Sequence, residues 1–185
     1  MEFIMAKTNK KYLFTSFSSG LVLLIIDFIT KYYANSILIF HQRTDTFIKW
    51  LTFFLTHNTG YHYIFGEIKN HKLWSLFGLF MLLILLIFLS NSLLKEKNVF
   101  HKRLYAVILM LTIGAGGNVL EILFTKKATD FFILEPFPWP SNICDQYINA
   151  IIYIVMPIMI IRLIFEKKMK KKLDTDAINE NNGNK

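Results

Sequence analysis

The sequence predicts an all-α membrane fold: four transmembrane helices, N- and C-termini cytoplasmic, with a small extracytoplasmic β platform between helices 1 and 2. Of its 185 residues 54% are hydrophobic, which exceeds the usual share in a soluble domain. Four apolar segments reach or approach the roughly 20 residues that cross about 30 Å of hydrocarbon. Basic residues flank these segments, so a membrane accounts for the net charge of +8 and no nucleic-acid partner is expected.

The four predicted spans cover approximately residues 12–34, 73–93, 104–125 and 145–165. They divide the chain into a basic cytoplasmic N-terminus (1–11), a single polytopic membrane domain (12–165) and a cytoplasmic tail (166–185) that is first basic and then disordered. The first span is expected to remain in the mature protein, because it is long, contains Asp27 and is followed by further spans.

Orientation follows from the positions of lysine and arginine. They concentrate in the N-terminus, in the short loop after the second span and in the tail, and four spans place these three segments on one side. That side is predicted to be the cytoplasm. The less basic segments 35–72 and 126–144 then face outward. The first of them is rich in β-branched and aromatic residues, which predicts two or three short strands on the membrane surface.

Small residues and a proline mark two of the spans. Gly114, Gly116 and Gly117 in the third span are expected to let another backbone approach closely. Pro157 in the fourth span should bend that helix, because proline has no N–H to donate.

Four carboxylates are predicted to lie at one depth, near the outer surface: Asp27, Glu121, Asp130 and Asp145. An ionisable group inside a membrane costs roughly 2.5–3.5 kcal/mol on insertion scales, so such groups are functional candidates. Lys31 lies one helical turn after Asp27, on the same face of the helix. The simpler interpretation treats Asp130 and Asp145 as ordinary interfacial residues, with Asp145 favoured at the positive end of the fourth helix.

Five short motifs, in chain order, resemble those of the lipoprotein signal peptidase (signal peptidase II) family. Each motif is weak alone, and the series spans about residues 12–165. The motifs are "DFITK" with Asp27 and Lys31, "HNTG" with Asn58 and Gly60, "GAGGNVLE" with Asn118 and Glu121, "ATDFF" with Asp130, and "SNICD" with Asn142 and Asp145.

The resemblance implies a metal-independent membrane aspartyl endopeptidase without a cofactor, occupying residues 12–165. Such an enzyme removes the signal peptide of diacylglyceryl-modified prolipoproteins just before the lipidated cysteine, at the extracytoplasmic face of the bacterial cytoplasmic membrane. Prolipoprotein and membrane lipid are the implied partners, and a monomer suffices. The implied catalytic pair is Asp130 and Asp145; Asn58, Gly60, Asn118, Asn142 and Glu121 bind substrate or support the site, and Asp27 and Lys31 brace it.

Three departures from the family pattern leave alternatives open. The family's third motif continues Asp-Arg, whereas this chain has Glu121-Ile122; Cys144 replaces an alanine; and Tyr61–Phe65 reads "YHYIF". Lys126 or Lys127 are candidates for the missing cation. The alternatives are a catalytically impaired paralogue that acts as a membrane binding protein, and a metal-dependent lipid-phosphate enzyme.

Two other kinds of chemistry are not favoured by the sequence. The spacing of His57, His62 and His71 fits no common metal signature. Cys144 has no histidine arranged to activate it, so a small apolar role is expected.

Overall fold

Four helices in the computed structural model are long and apolar enough to cross a membrane. The structure describes the backbone of residues 2–58 and 71–183, and the side chains of residues 8–58 and 73–173. Within these ranges the candidate spans are Thr8–Ile37, Leu73–Lys95, Val99–Thr125 and Ile143–Leu173. The prediction of four spans is confirmed, and each observed helix is somewhat longer than the apolar run that predicts it.

Two of the four spans are interrupted. The first and second spans are single helices, α1 (Glu2–Ile37) and α2 (His71–Lys95). The third consists of α3 (Val99–Ala115) and α4 (Gly117–Thr125), which meet at Gly116. The fourth consists of α5 (Ile143–Ala150), a π-helical turn (Ile151–Val155) and α6 (Met156–Gly183). The π-helical turn ends two residues before Pro157, so the irregularity lies where the proline predicts one.

The C-terminal tail differs from the prediction of disorder. Helix α6 continues to Gly183, well past the apolar part of the span. Because the membrane span already provides the helical nucleus, each added residue needs only to propagate the helix. No proline interrupts the tail.

A four-stranded antiparallel sheet caps one end of the bundle, in the order β1-β2-β3-β4. Its strands are β1 (Arg43–Asp45), β2 (Leu51–Asn58), β3 (Ala128–Leu134) and β4 (Pro140–Ser141). The expected location between helices 1 and 2 is therefore only half correct, because β3 and β4 follow the third span. Nearly every residue of β3 is buried, so β3 lacks the alternation that identifies a half-exposed strand.

Apolar packing attaches the sheet to the helical bundle. Ala34 of α1, Leu55 of β2, and Phe131 and Phe132 of β3 form one buried cluster. At the opposite end of the bundle, the Asn9 side chain donates to the carbonyl oxygens of Leu94 and Glu96, at 2.8 and 3.2 Å. The start of α1 and the α2–α3 turn thus meet at the end away from the sheet.

Candidate active site

A capping box fixes Asp145 at the start of α5. Asn142 is the N-cap residue, and its side-chain oxygen accepts a hydrogen bond from the Asp145 backbone N–H at 3.2 Å. In return, Asp145 Oδ2 accepts from the Asn142 backbone N–H at 3.0 Å. These reciprocal bonds satisfy two N–H groups that a helix start otherwise leaves unpaired. The short sequence "SNICD" therefore orients both side chains locally.

The second aspartate comes from the sheet. Asp130 lies in the middle of β3, opposite Thr56 of β2, and is buried. Asn142 Nδ2 donates to Asp130 Oδ1 at 2.6 Å, and Asn58 at the end of β2 also forms a side-chain hydrogen bond with Asp130. Asn142 consequently donates to both carboxyl groups, to that of Asp130 through its side-chain amide and to that of Asp145 through its backbone N–H. The structure thus brings together Asp130, Asp145, Asn58 and Asn142.

Asn118 of α4 completes this hydrogen-bonded centre. Its Nδ2 donates to Asp145 Oδ1 at 2.9 Å. Its Oδ1 accepts from Asn142 Nδ2 at 2.9 Å and from Lys31 Nζ at 2.6 Å. Because an ammonium group and an amide nitrogen only donate, these two neighbours fix the orientation of the Asn118 amide. The amide is thereby oriented with its donor toward Asp145.

Burial and a like charge shift the titration of Asp130. Removal from water, with a smaller contribution from the nearby Asp145 charge, raises the pKa of Asp130 from 3.8 to about 7. Hydrogen bonds from Asn142 and Asn58 oppose part of this change. Near neutral pH the Asp130 carboxyl therefore holds a proton for a substantial fraction of the time, beside a second carboxyl group. A site of this kind is able both to donate and to accept a proton.

A buried ion cluster lies directly beneath this centre. Lys31 Nζ is 2.8 Å from Asp27 Oδ2 and 2.9 Å from Glu121 Oε2, and all three side chains are buried. The predicted placement of Asp27 and Lys31 on one helix face is confirmed, and the two side chains form an ion pair. Lys31 also reaches across to Glu121 of α4. Asp27 Oδ1 accepts from the Cys144 backbone N–H at 3.0 Å, which attaches α1 to the start of α5. The cluster braces three helices.

Lys31 supplies the cation near Glu121 that the sequence leaves unassigned. Among the described side chains, neither Lys126 nor Lys127 forms an ion pair with Glu121. The Lys127 ammonium instead lies 3.1 Å from His57 Nδ1. Burial of the His57 ring and the Lys127 charge together lower the pKa of His57.

Thr129 is a supporting residue that sequence reasoning missed. Its backbone N–H donates to both oxygens of the Glu121 carboxylate, at 3.0 and 3.1 Å, and its hydroxyl donates to Oε1 at 2.6 Å. Glu121 thus holds β3 at the residue next to Asp130. The only signal in the sequence is that Thr129 precedes an aspartate, and the contact with Glu121 depends on the tertiary fold.

The extra methylene of Glu121 should therefore matter. We expect Glu121→Asp to lower the free energy of unfolding by about 1–3 kcal/mol, because the shorter side chain cannot contact both Lys31 and Thr129. Thermal unfolding in detergent measures the loss. Glu135→Asp makes the same change at an exposed position and is the matched control. Equal melting temperatures for Glu121→Asp and the control would contradict the assigned role of Glu121.

Glycine allows the ion cluster and α5 to approach α4. A Cβ atom at Gly117 would lie 2.5 Å from both Asp27 Oδ2 and Cys144 Sγ. At Gly114 it would lie 2.8 Å from the Tyr147 ring. The predicted close approach is found at both positions, but the neighbouring atoms belong to side chains and not to another backbone. Cys144 is fully buried in this contact and donates through its thiol to the Gly114 carbonyl at 3.4 Å.

Some predicted residues cannot be placed. Gly60, His62 and the Tyr61–Phe65 stretch lie outside the described residues, as does the His71 side chain. Across the described ranges, no group of three or more His, Cys, Asp or Glu side chains is arranged to hold a metal ion.

The fold and the site define a multi-pass membrane protein with two hydrogen-bonded carboxyl groups at the sheet end of a four-span bundle. The chain belongs to the signal peptidase II family, since the sequence profile described as Signal peptidase (SPase) II matches residues 20–165. The resemblance found in the five motifs is confirmed. With its four apolar helices, this membership places the chain in the bacterial inner membrane as a multi-pass protein.

Named relatives and solved structures agree with the family assignment. A Lipoprotein signal peptidase of Borreliella burgdorferi (strain ZS7) is 28% identical over 177 residues, covering 88% of this chain and 100% of the relative. That of Borreliella afzelii (strain PKo) is 33% identical over 119 residues, covering 58% of this chain and 68% of the relative. A bacterial membrane enzyme solved by the in meso method at 2.3 Å shares the fold, with a TM-score of 0.62, 21% identity, and 84% and 91% of the two chains covered.

Proposed function

We propose that this protein is an aspartyl endopeptidase that removes the signal peptide of diacylglyceryl-modified prolipoproteins just before the lipidated cysteine, with Asp130 and Asp145 as the reacting pair. The observation that carries the proposal is the position of Asn142, whose amide bonds Asp130 while its backbone N–H bonds Asp145. Two carboxyl groups held around one amide form a preorganised acid–base pair. The names of the relatives supply the substrate class.

The chemistry requires one proton shared by the pair. The ionised carboxylate takes a proton from a water molecule, which attacks the scissile carbonyl carbon. The protonated carboxyl group polarises the carbonyl oxygen and then donates its proton to the departing amine. The raised pKa of Asp130 suits this task, because it keeps a proton in the site near neutral pH. The two groups titrate as a pair, so the roles belong to the pair.

The departures from the family motifs are compatible with activity. Lys31 pairs with Glu121 in place of a neighbouring arginine, and the extra methylene of Glu121 is used in bonding Thr129. The hydrogen bonds that hold Asp130 and Asp145 are present. These contacts favour an active peptidase over a silent binding paralogue.

The position in the membrane completes the proposal. The three lysine-rich segments favour a cytoplasmic location for the end of the bundle opposite the sheet. The sheet and the aspartates then lie at the extracytoplasmic face, where water and a lipid-anchored substrate both have access. A single chain supplies the whole site, so a monomer is sufficient.

The test is cleavage of a diacylglyceryl-modified prolipoprotein by the purified protein in detergent with added lipid. We expect mass spectrometry to show a new N-terminus at the lipidated cysteine, with an unchanged rate in EDTA. A folded protein that cuts none of several lipidated substrates would instead support the binding paralogue. Loss of turnover in EDTA would support a metal-dependent enzyme.

A further inference from the structure

An aromatic pocket lies beside the proposed reacting pair. Its volume is about 270 Å³, and its walls come from the residues before β2, the turn after β3 and the first turns of the fourth span. The lining includes Trp50, Glu135, Phe137, Trp139, Gln146 and Tyr153. Gln146 follows Asp145 directly, so the pocket adjoins the site without containing either aspartate.

A single carboxylate stands among these rings. The Glu135 backbone N–H donates to the Trp50 carbonyl oxygen at 2.9 Å, which fixes the residue at the end of strand β3. Its side chain is exposed. Within the part of the chain that the structure describes, the Glu135 carboxylate has no hydrogen bond or ion pair. Its charge is therefore available to a ligand in the pocket.

Aromatic faces next to a carboxylate favour a cationic ligand. Ring faces attract cations through their quadrupole, and quaternary ammonium groups are bound in proteins by aromatic side chains. In the pocket, Trp50, Phe137, Trp139 and Tyr153 supply the rings, and Glu135 supplies the opposite charge. The pocket is thus chemically complementary to an ammonium group.

The pocket faces the lipid rather than the bundle interior. Tyr153 is 67% exposed and Trp139 is 57% exposed, and Tyr153 belongs to the fourth membrane span. Tryptophan and tyrosine rings of this kind concentrate at the level of lipid headgroups. The exposed apolar side chains of Ile152, Ile154 and Met156 continue along the same span, where acyl chains would lie.

We infer that this pocket binds the ammonium group of a membrane phospholipid, choline or ethanolamine, with the headgroup between Glu135 and the rings. The occupant is a lipid because the pocket opens onto the surface of a membrane span. The inference does not depend on peptidase activity, since binding alone tests it.

The experiment is native mass spectrometry of the delipidated, full-length protein with phosphatidylcholine, phosphatidylethanolamine and phosphatidylglycerol of identical acyl chains. We expect the wild type to bind the two ammonium lipids more tightly than phosphatidylglycerol. Glu135→Gln should weaken phosphatidylcholine binding by about fivefold to tenfold and leave phosphatidylglycerol binding unchanged. The matched control is Asp45→Asn, which removes an exposed carboxylate of β1 outside the pocket.

A second pair of variants tests the aromatic contribution. Trp139→Ala should weaken phosphatidylcholine binding, whereas Trp74→Ala, on α2 and outside the pocket, should not. Equal binding of all three lipids by the wild type would overturn the inference. So would the same change in Glu135→Gln and Asp45→Asn. A competition experiment separates a lipid from a peptide as the occupant. If a lysine-containing peptide displaces bound phosphatidylcholine and excess phosphatidylethanolamine does not, the pocket is a peptide site and the inference is wrong.

Discussion

Replacing Asp130 or Asp145 by asparagine should each lower the rate of prolipoprotein cleavage by at least about 10²–10⁴-fold, because general acid–base catalysis contributes on that scale. Asparagine keeps the size of the side chain but neither accepts a proton from water nor donates one to the leaving amine. Single-turnover cleavage in detergent with lipid measures the loss. Because both carboxyl groups act in one step, the double variant should be hardly slower than either single variant.

The control is Asp45→Asn, which removes an exposed carboxylate from the same sheet. It should cut at the wild-type rate. Thermal unfolding shows whether each variant is folded. A folded Asp130→Asn or Asp145→Asn protein with more than a tenth of the wild-type rate would remove that aspartate from the chemistry.

The pH dependence should single out Asp130. Its pKa in the folded protein is about 7, above the ordinary 3.8, so folding favours its protonated form. The stability that this contributes is complete below pH 3.8 and is lost as the pH rises through about 7. Asp130→Asn should therefore lose less thermal stability than the wild type between pH 5 and pH 8. Activity should fall above pH 7, as the pair loses its proton.

Lys31→Met should destabilise the protein by about 3–5 kcal/mol, the usual cost of leaving a buried charge without its partner. Methionine fills similar space, but Asp27 and Glu121 lose contacts of 2.8 and 2.9 Å with the ammonium group. Asn118 also loses the donor at 2.6 Å that fixes its amide, so cleavage should fall together with stability. Thermal unfolding and cleavage measure the two effects.

Two further variants separate this result from a general effect of removing a lysine. Lys127→Met, just before strand β3, should change the free energy of unfolding by no more than about 0.5 kcal/mol. Adding Asp27→Asn to Lys31→Met removes one of the two uncompensated charges and should recover part of the stability. A Lys31→Met protein as stable as Lys127→Met would show that the cluster does not hold the helices together.

Hydrophobic length predicted the helical part of this fold well. Four spans follow directly from apolar runs, and the glycines of the third span indicated where helices approach closely. The sheet was harder to predict. β3 reads "ATDFFIL" without alternation, because it is buried on both faces, and its partner β2 precedes it by two complete spans.

The motifs named the residues of the candidate site, but they did not predict the contacts between those residues. The capping box of Asn142 and Asp145 is local, so the spacing in "SNICD" is consistent with it. Lys31 on α1 contacts Glu121 and Asn118 on α4. The residue pattern within a single helix does not predict a contact between two helices. Lys126 and Lys127 are plausible partners of Glu121 because they are close to it in the sequence. In the structure, Lys31 forms the ion pair with Glu121 from another helix.

The bond between Asp27 and the backbone of Cys144 joins residues 117 positions apart in the chain. A nascent chain that has delivered only three spans to the membrane lacks Asn142 and Asp145, and its Asp130 has no carboxyl partner. Under the proposed chemistry, the order of synthesis delays proteolysis until the last helix is inserted. A translation product that stops before residue 142 therefore lacks the acid–base pair.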